Sequence, residues 1–199
     1  MSIDFPNPRS VFTPKVPDSI ENGVLKNYLQ DMVQHIDRVY SKGFDNVDAI
    51  RDGIDAYGEI YTKDNADTTT LNSAAKVQIT DFDANGQSSN MTPDHTNDRI
   101  TISKDGKYLV TISVAVKNSA GASHQIHIEL YKNNGATAFD NVHGHRNLAA
   151  GTDVGSITLS GIISVSKDDT IELWADTDSG TDKDVTFQDV TVSIIQVGT

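Results

Sequence analysis

The chain contains no cysteine. Disulfide bonds, thiolate catalysis and thiolate-bound zinc are therefore excluded from any account of its stability or chemistry. A β-rich protein that lacks disulfides must draw its stability from a large core or from association with other copies, and 199 residues suffice for such a core. The missing cysteines are a first indication of a subunit in an assembly.

Clustered positive charge and long apolar runs are also missing. The chain has 16 Lys and Arg against 28 Asp and Glu, a net charge of −12, whereas binding to nucleic acid needs basic clusters against the phosphates. No run of about 18 apolar residues occurs, so no membrane-spanning segment is expected. The first residues lack the basic and apolar regions of a secretory signal, and we expect none. Neither nucleic acid nor a membrane is an expected partner.

The sequence is equally poor in catalytic patterns. It has no Gly-x-Ser-x-Gly elbow, no Walker loop and no His-Glu-x-x-His motif. Beyond Glu59 the only glutamates are Glu129 and Glu172, each within an alternating stretch, which argues against a paired-carboxylate hydrolase. We expect a protein without enzymatic activity and without a cofactor.

The strongest positive signal is an alternating stretch between Gly106 and Val116. Its two faces are Tyr108, Val110, Ile112, Val114 and Val116 on one side, and Leu109, Thr111, Ser113 and Ala115 on the other. Strict alternation predicts a strand that turns its apolar face to a core. The other face is small and only mildly polar, so we expect it to be covered as well.

From about residue 60 to residue 199, alternating segments and turn formers follow one another without a helical pattern between them. Turns are indicated by Asp83-Ala84-Asn85-Gly86, Lys104-Asp105-Gly106, Asn133-Asn134-Gly135 and Lys167-Asp168-Asp169. Many short strands at regular spacing are typical of a sandwich or jelly roll. The predicted fold class is mainly β, with a jelly-roll head at 59–199.

Residues 1–17 hold four of the five prolines, which exclude a helix or a central strand there. Apolar side chains are interspersed among them: Ile3, Phe5, Val11, Phe12 and Val16. A solvated, disordered terminus is one interpretation. The other is an extended arm that docks on a partner, since prolines reduce the entropic cost of ordering.

A helix is predicted at residues 18–42. Asp18 and Glu21 form a capping box at its start, and Gly43 ends it. A heptad seam runs along it: Leu25, Leu29, Met32, Ile36 and Val39. The seam packs either on the chain's own head or on copies of itself. In the second case a short bundle would add to a trimer that the head forms.

A weaker helical pattern covers residues 45–57, with Asp45 as its N-cap and Gly53 as an unfavourable position. The chain therefore divides into three predicted segments. These are an arm at 1–17, a helical segment at 18–58 and the head at 59–199.

One close pair stands out among the histidines, His143-Gly144-His145. Two imidazoles at this spacing on one strand face would suit a metal ion. The Asn and Gly residues around the pair instead indicate a loop with solvated histidines, so the pair is only a weak candidate for a metal site. His124 and His127 point to opposite faces of a predicted strand and do not form a second pair.

Aspartates surround Ser179-Gly180, at positions Asp176, Asp178, Asp182 and Asp184. Alternate aspartates in a loop are typical of calcium chelation, but neither the spacing of an EF-hand nor its terminal glutamate follows. We interpret the segment as an acidic, solvated loop.

Four stretches of the head stand in a characteristic order: Ile100-Thr101-Ile102 leading into Gly106-Lys107-Tyr108-Leu109-Val110, then Glu129 to Gly135, Thr158 to Leu173, and Val190 to Ile195. Together they resemble the trimeric jelly roll shared by complement globular heads and tumour-necrosis-factor-like cytokines, of the kind found in bacteriophage virion proteins. The resemblance covers roughly residues 60–199. Asp168-Asp169 departs from the family's usual Gly-Asp.

The resemblance implies that protomers pack around a threefold axis, with one broad sheet face as the core between subunits. The small face of the alternating strand is then the candidate trimer interface: Leu109, Thr111, Ser113 and Ala115. The first expected partner of the chain is a copy of itself.

The layout of arm, short helix and head indicates a homotrimeric capsid decoration or cement protein of a bacteriophage. It would be made in the host cytoplasm and reside on the capsid surface, anchored by its arm to the major capsid protein or another virion protein. A second hypothesis is a receptor- or glycan-binding knob of a phage fibre or tail. Its aromatics of interest are Tyr131 and Trp174, although Trp174 is expected in the core. A third hypothesis is a free-standing lectin-like module.

Overall fold

The computed structural model describes residues 25–36 and 56–198, together with Gly23, Arg38 and Val39. The chain divides into two compact units, Met1–Asp52 and Gly53–Thr199. The described residues of the first unit are helical, as predicted for 18–42, and residues 25–36 are named α1. The arm at 1–17 lies outside the described residues, with Ile3, Phe5, Val11, Phe12 and Val16.

The predicted short helix at 45–57 is wrong at its last residue. Tyr57 begins a strand, because its backbone pairs with Ile195 in an antiparallel ladder. Residues 45–55 lie outside the described residues.

Within the described residues the second unit contains twelve strands. In chain order they are β1 (Tyr57–Thr62), β2 (Thr69–Leu71), β3 (Val77–Gln78), β4 (Ala84–Asn85), β5 (Met91–Asp94), β6 (Arg99–Ile102), β7 (Gly106–Asn118), β8 (His124–Lys132), β9 (Thr137–Leu148), β10 (Val154–Val165), β11 (Thr170–Thr177) and β12 (Lys183–Gly198).

The strands form two antiparallel sheets. The first has the order β10-β7-β12-β1-β4, with β2 paired to β12, and the second has the order β5-β6-β11-β8-β9, with β3 paired to β11. Neighbours in each sheet are mostly distant in sequence, and the sheets pack face to face as a β-sandwich. The predicted jelly-roll class is confirmed.

The core lies between the sheets and is built by alternation. Tyr108, Val110, Ile112, Val114 and Val116 of β7 are all fully buried, as predicted. Each buried aliphatic side chain of this size contributes about 1.5–3 kcal/mol relative to exposure. Because the inward positions fix the register, the alternate positions of β7 must face outward.

The turn between β8 and β9 fixes the position of Trp174. Asn133, Asn134 and Gly135 have φ angles of 57°, 58° and 77°, which Asn and Gly tolerate better than other residues. A Cβ at Gly135 would also lie 2.8 Å from Cζ2 of Trp174. The predicted turn therefore lies against the indole ring and needs glycine for two reasons.

Candidate interaction surface

The four residues predicted as a trimer interface share the outer face of the first sheet. Leu109, Thr111, Ser113 and Ala115 alternate with the buried residues of β7 and point away from the core. Thr111 and Ser113 are exposed, whereas Leu109 and Ala115 are half-buried. These four positions therefore carry none of the charged side chains that usually cover a solvated sheet, although Lys107 on the same strand and Asp189 opposite Ala115 are charged.

Strand register extends this face across four strands. Leu109 of β7 lies opposite Ile162 of β10 and Ile195 of β12, and Ile195 lies opposite Tyr57 of β1. Ile162, Ile195 and Tyr57 are 57%, 45% and 39% exposed. We call these four side chains the apolar row. A continuous exposed row of this kind marks an interaction site more often than scattered apolar residues do.

Two further rows follow the apolar row, and their members on β10, β7 and β12 are all Ser or Thr. The first is Ser160, Thr111, Ser193 and Glu59, and the second is Thr158, Ser113, Thr191 and Tyr61. Glu59 is the single charged residue of these described rows, and its Oε2 accepts a hydrogen bond from Ser193 Oγ at 3.2 Å. Short hydroxyl side chains keep the surface flat, so another protein backbone can approach it closely.

The seam residues of α1 share one apolar face. Leu25, Met32, Ile36 and Val39 are 49%, 42%, 39% and 56% exposed within this chain, and Leu29 is half-buried. An amphipathic helix derives most of its stability from packing this face against another element.

His143 and His145 lie on a strand and not in a loop, which corrects the prediction. Both belong to β9, because its backbone pairs with β8 as far as Leu148 despite the Asn and Gly residues that suggested a loop. His143 and His145 share the outer face of β9, with ring centroids 5.7 Å apart. Among the described residues, no group of three or more His, Asp or Glu side chains has a geometry that could hold a metal ion.

His124 and His127 point to opposite faces of β8, as predicted. His124 is buried, and His127 contacts His145 on the outer face. Burial lowers the pKa of His145, and the neighbouring His127 and His143 lower it further.

The aspartates around Ser179-Gly180 have separate structural partners. Asp178 Oδ1 accepts the Gln125 N–H at 2.9 Å, and Asp184 Oδ1 accepts the Thr70 hydroxyl at 2.7 Å. Asp182 Oδ1 accepts the Asn72 amide at 3.3 Å. The carboxylates therefore fasten neighbouring segments and do not converge on one point.

Trp174 is not a core residue, contrary to expectation. It lies opposite Glu129 on the outer face of the second sheet, half-buried beneath the β8–β9 turn. Its ring centroid is 5.7 Å from that of Tyr131, and Lys76 both pairs with Glu129 and lies over the Tyr131 ring at 5.2 Å. The apolar residues Ile171, Leu173 and Ala175 define the inward face of β11, so the alternation itself assigns Trp174 to the polar face with Glu172 and Asp176. The expectation of a core residue was wrong because it gave more weight to the size of the indole than to this pattern.

No helix among the described residues is long and apolar enough to cross a membrane. No protein-family model and no curated protein matches the chain. Among solved structures, the chain is similar to the Eiger TNF of S. frugiperda, with 11% sequence identity and a TM-score of 0.50. The match covers 71% of this chain and 92% of the other. At this identity the likeness shows the fold alone, and the head is a TNF-like jelly roll.

Proposed function

We propose that the chain is a homotrimeric structural protein of a bacteriophage virion. In this proposal it decorates or cements the capsid, with the head outward and the arm at 1–17 on the major capsid protein or another virion protein. It is made in the host cytoplasm and has no catalytic role. The observation that carries the proposal is the outer face of the first sheet, with its apolar row and its two rows of short hydroxyl side chains.

A second copy of the chain is the partner that best fits this face. The chain has a net charge of −12, so two copies repel each other across most orientations. The three rows of the outer face carry one carboxylate, Glu59, and a second, Asp189, lies beside them opposite Ala115. Association through these rows costs little in desolvation and repulsion while it buries the apolar row.

The side of the sandwich supplies a complementary surface. Strands β9 and β10 are each 12 residues long and lie at the ends of their sheets. Long edge strands are open to further pairing unless another chain or element covers them. A threefold arrangement, which the sequence resemblance implies, would place such a side against the flat face of a neighbouring copy.

The heptad seam of α1 also fits an assembly of three copies. Its residues repeat with heptad spacing, which favours parallel packing against copies of the same helix. Isolated helices this short are marginal in water, so the seam would add to a trimer that the head forms and would not create one.

The arm would provide attachment to the capsid. It combines apolar residues with prolines that reduce the entropic cost of ordering. Three arms on one trimer would bind neighbouring capsid subunits together, and linked weak contacts give a much higher overall affinity.

Substitution of Ser113 with arginine tests the trimer. The Ser113→Arg variant should lower the mass in light scattering from three times 21.6 kDa towards a single chain, because it places a charge at the centre of the face. Thr92→Arg is the matched control, since Thr92 is also exposed on a strand but belongs to β5 of the second sheet. A wild-type chain that is monomeric at micromolar concentration would refute the trimer.

Deletion of residues 1–17 tests the attachment separately. The truncated protein should remain trimeric and should no longer bind capsids in a sedimentation assay. Normal decoration by the truncated trimer would show that the arm is not the anchor.

A receptor-binding knob is the second candidate, and the neighbouring Trp174 and Tyr131 rings are the observation that favours it. Aromatic rings beside a Lys76–Glu129 ion pair offer stacking and hydrogen bonding to a glycan. Purified protein would then compete with phage adsorption to cells. An absence of competition at saturating protein would remove this candidate.

A further inference from the structure

Three histidines meet on the outer face of the second sheet, where β9 pairs with β8. His127 of β8 lies directly opposite His145 of β9, and His143 lies opposite Glu129. The ring centroids of His127 and His145 are 4.2 Å apart, and those of His143 and His145 are 5.7 Å apart. The three rings form one contiguous cluster across the paired strands β8 and β9.

His127 faces an acceptor at each of its ring nitrogens. Its Nδ1 lies 2.8 Å from Oδ1 of Asp176 on β11, and its Nε2 lies 3.0 Å from Oε1 of Gln125. Asn147 orients the Gln125 amide, because Gln125 Nε2 donates to Asn147 Oδ1 at 2.8 Å. Oδ1 of Asp176 is buried and, among the described residues, has no partner apart from His127. Both ring nitrogens of His127 therefore lie within hydrogen-bond distance of a side-chain oxygen.

His145 lies against that ring without a comparable partner. Burial lowers the pKa of His145, and His127 and His143 lower it further, while Asp176 and Glu129 act in the opposite direction. If both rings are protonated, their positive charges lie directly opposite each other on neighbouring strands. Like charges at directly opposed positions weaken strand pairing.

The two carboxylates near His145 are already committed. Asp176 is paired with His127, and Glu129 is paired with Lys76. On the opposite face of β9, Val142, Gly144 and Leu148 carry no charge, and Arg146 is the charged residue of that face. The charged and titratable groups that face His145 are therefore His127 and Glu129 from β8, His143 from β9 and Asp176 from β11.

A positive charge on His145 would disturb the pairing of β9, which lies at the edge of its sheet. Within the described residues, β9 ends the second sheet and has β8 as its only strand partner there. Strands β7 and β12 lie in the other sheet, where each has partners on both sides. Edge elements with few partners open locally before the core of a protein does.

We propose that the His127–His145 pair is a proton-operated latch on β9. While His145 is neutral, β9 stays paired with β8 along the side of the sandwich. When His145 takes up a proton beside the other two histidines, the half of β9 from Val142 to Leu148 opens more often, by up to about tenfold, while the remaining strands stay folded. The latch does not require the trimer. Because the proposed trimer would cover this side of the sandwich, amide exchange is measured on Ser113→Arg as well as on the wild type.

Amide hydrogen exchange of the full chain, in the presence of a chelator, tests the latch. Exchange is compared at about pH 7.5 and about pH 5.5, corrected for intrinsic rates with an unfolded reference. Protection of residues 142–148 should fall at the lower pH. If the open strand has the ordinary histidine pKa of about 6.5, the loss has an upper limit of about tenfold for one proton. Protection of β7 and β12 should not change.

Two substitutions at the same position separate charge from packing. His145→Gln cannot take up the proton, so β9 should stay protected at both pH values. His145→Lys carries a permanent charge, so β9 should be poorly protected at both. His95→Gln, in the half-buried turn between β5 and β6, is the control and should respond to pH as the wild type does.

Two results would overturn the latch. One is an unchanged pH response of β9 in His145→Gln. The other is an equal loss of protection in β7, β12 and β9, which would mean global destabilisation. Only a small part of the His145 side chain is desolvated and the residue as a whole is exposed, so neither substitution at this position should prevent folding.

Discussion

The carboxyl group of Asp98 lies in a buried position that disfavours its negative charge. The residue is 8% exposed and has a φ of 53°. Burial raises its pKa, as do the charges of Asp81 and Asp94, while the Phe82 N–H, 3.4 Å from Oδ1, opposes the change. The folded state therefore disfavours the ionised form of Asp98. The Phe82 N–H nevertheless needs an oxygen acceptor at this position.

Asp98→Asn should stabilise the protein near neutral pH. A raised folded-state pKa means that the contribution of Asp98 is full below the unfolded value of about 3.9 and is lost as the pH rises through the folded value. Asparagine keeps the acceptor, tolerates a positive φ and carries no charge. We expect about 0.5–2 kcal/mol of added stability in urea unfolding at neutral pH, shrinking towards zero in acid.

Asp94 is the opposite case and the natural comparison. Hydrogen bonds from Asn97 lower the pKa of Asp94, so Asp94→Asn should lose stability at neutral pH and not gain it. Equal effects of the two substitutions would contradict the assignment of charge burial to Asp98.

At the scale of elements, glycines set the distance between β9 and β10. A Cβ at Gly144 would lie 2.5 Å from Cδ2 of Leu159, and a Cβ at Gly161 would lie 2.7 Å from Cγ2 of Val142. Neither position has a positive φ, so space and not backbone conformation demands glycine there. The two edges of the sandwich close through these contacts.

Gly144→Ala should destabilise the head by about 1–3 kcal/mol through overpacking. Gly180→Ala is the control, because a Cβ there meets nothing within 4 Å and its φ is not positive. That substitution should be neutral or slightly stabilising, since alanine restricts the unfolded chain. Thermal unfolding of both variants measures the difference, and equal melting temperatures would contradict the close approach.

The same glycines explain which elements the sequence could predict. Along β7, large buried side chains alternate with an outward set that includes Thr111, Ser113 and Ala115. This sequence pattern alone was enough to predict the strand, its buried face and its outward face. In β9 the residues His143-Gly144-His145 and their Asn neighbours indicated a loop, because the reason for Gly144 is its contact with β10 in the other sheet. Contacts of this kind come from tertiary structure, and no local pattern encodes them.

At the scale of the whole molecule, the seam and the sheet face are two independent surfaces for association. In the proposed trimer, Ile36→Glu should raise the dissociation constant without unfolding the head, because it charges the seam of α1 only. Gln34→Glu, an exposed change off the seam, should leave it unchanged. Sedimentation at several concentrations measures both, and equal behaviour of the two variants would mean that the seam does not bundle.

The position of β12 in the first sheet has a consequence for synthesis on the ribosome. β12 pairs with β7 on one side and with β1 and β2 on the other, yet its residues 183–198 are translated after all the other strands. Until residues 183–198 leave the ribosome, β7 and β1 lack the strand that lies between them, and their apolar side chains stay uncovered. The head should therefore fold late and in one step, and nascent chains that stall before residue 183 should depend on chaperones to stay soluble.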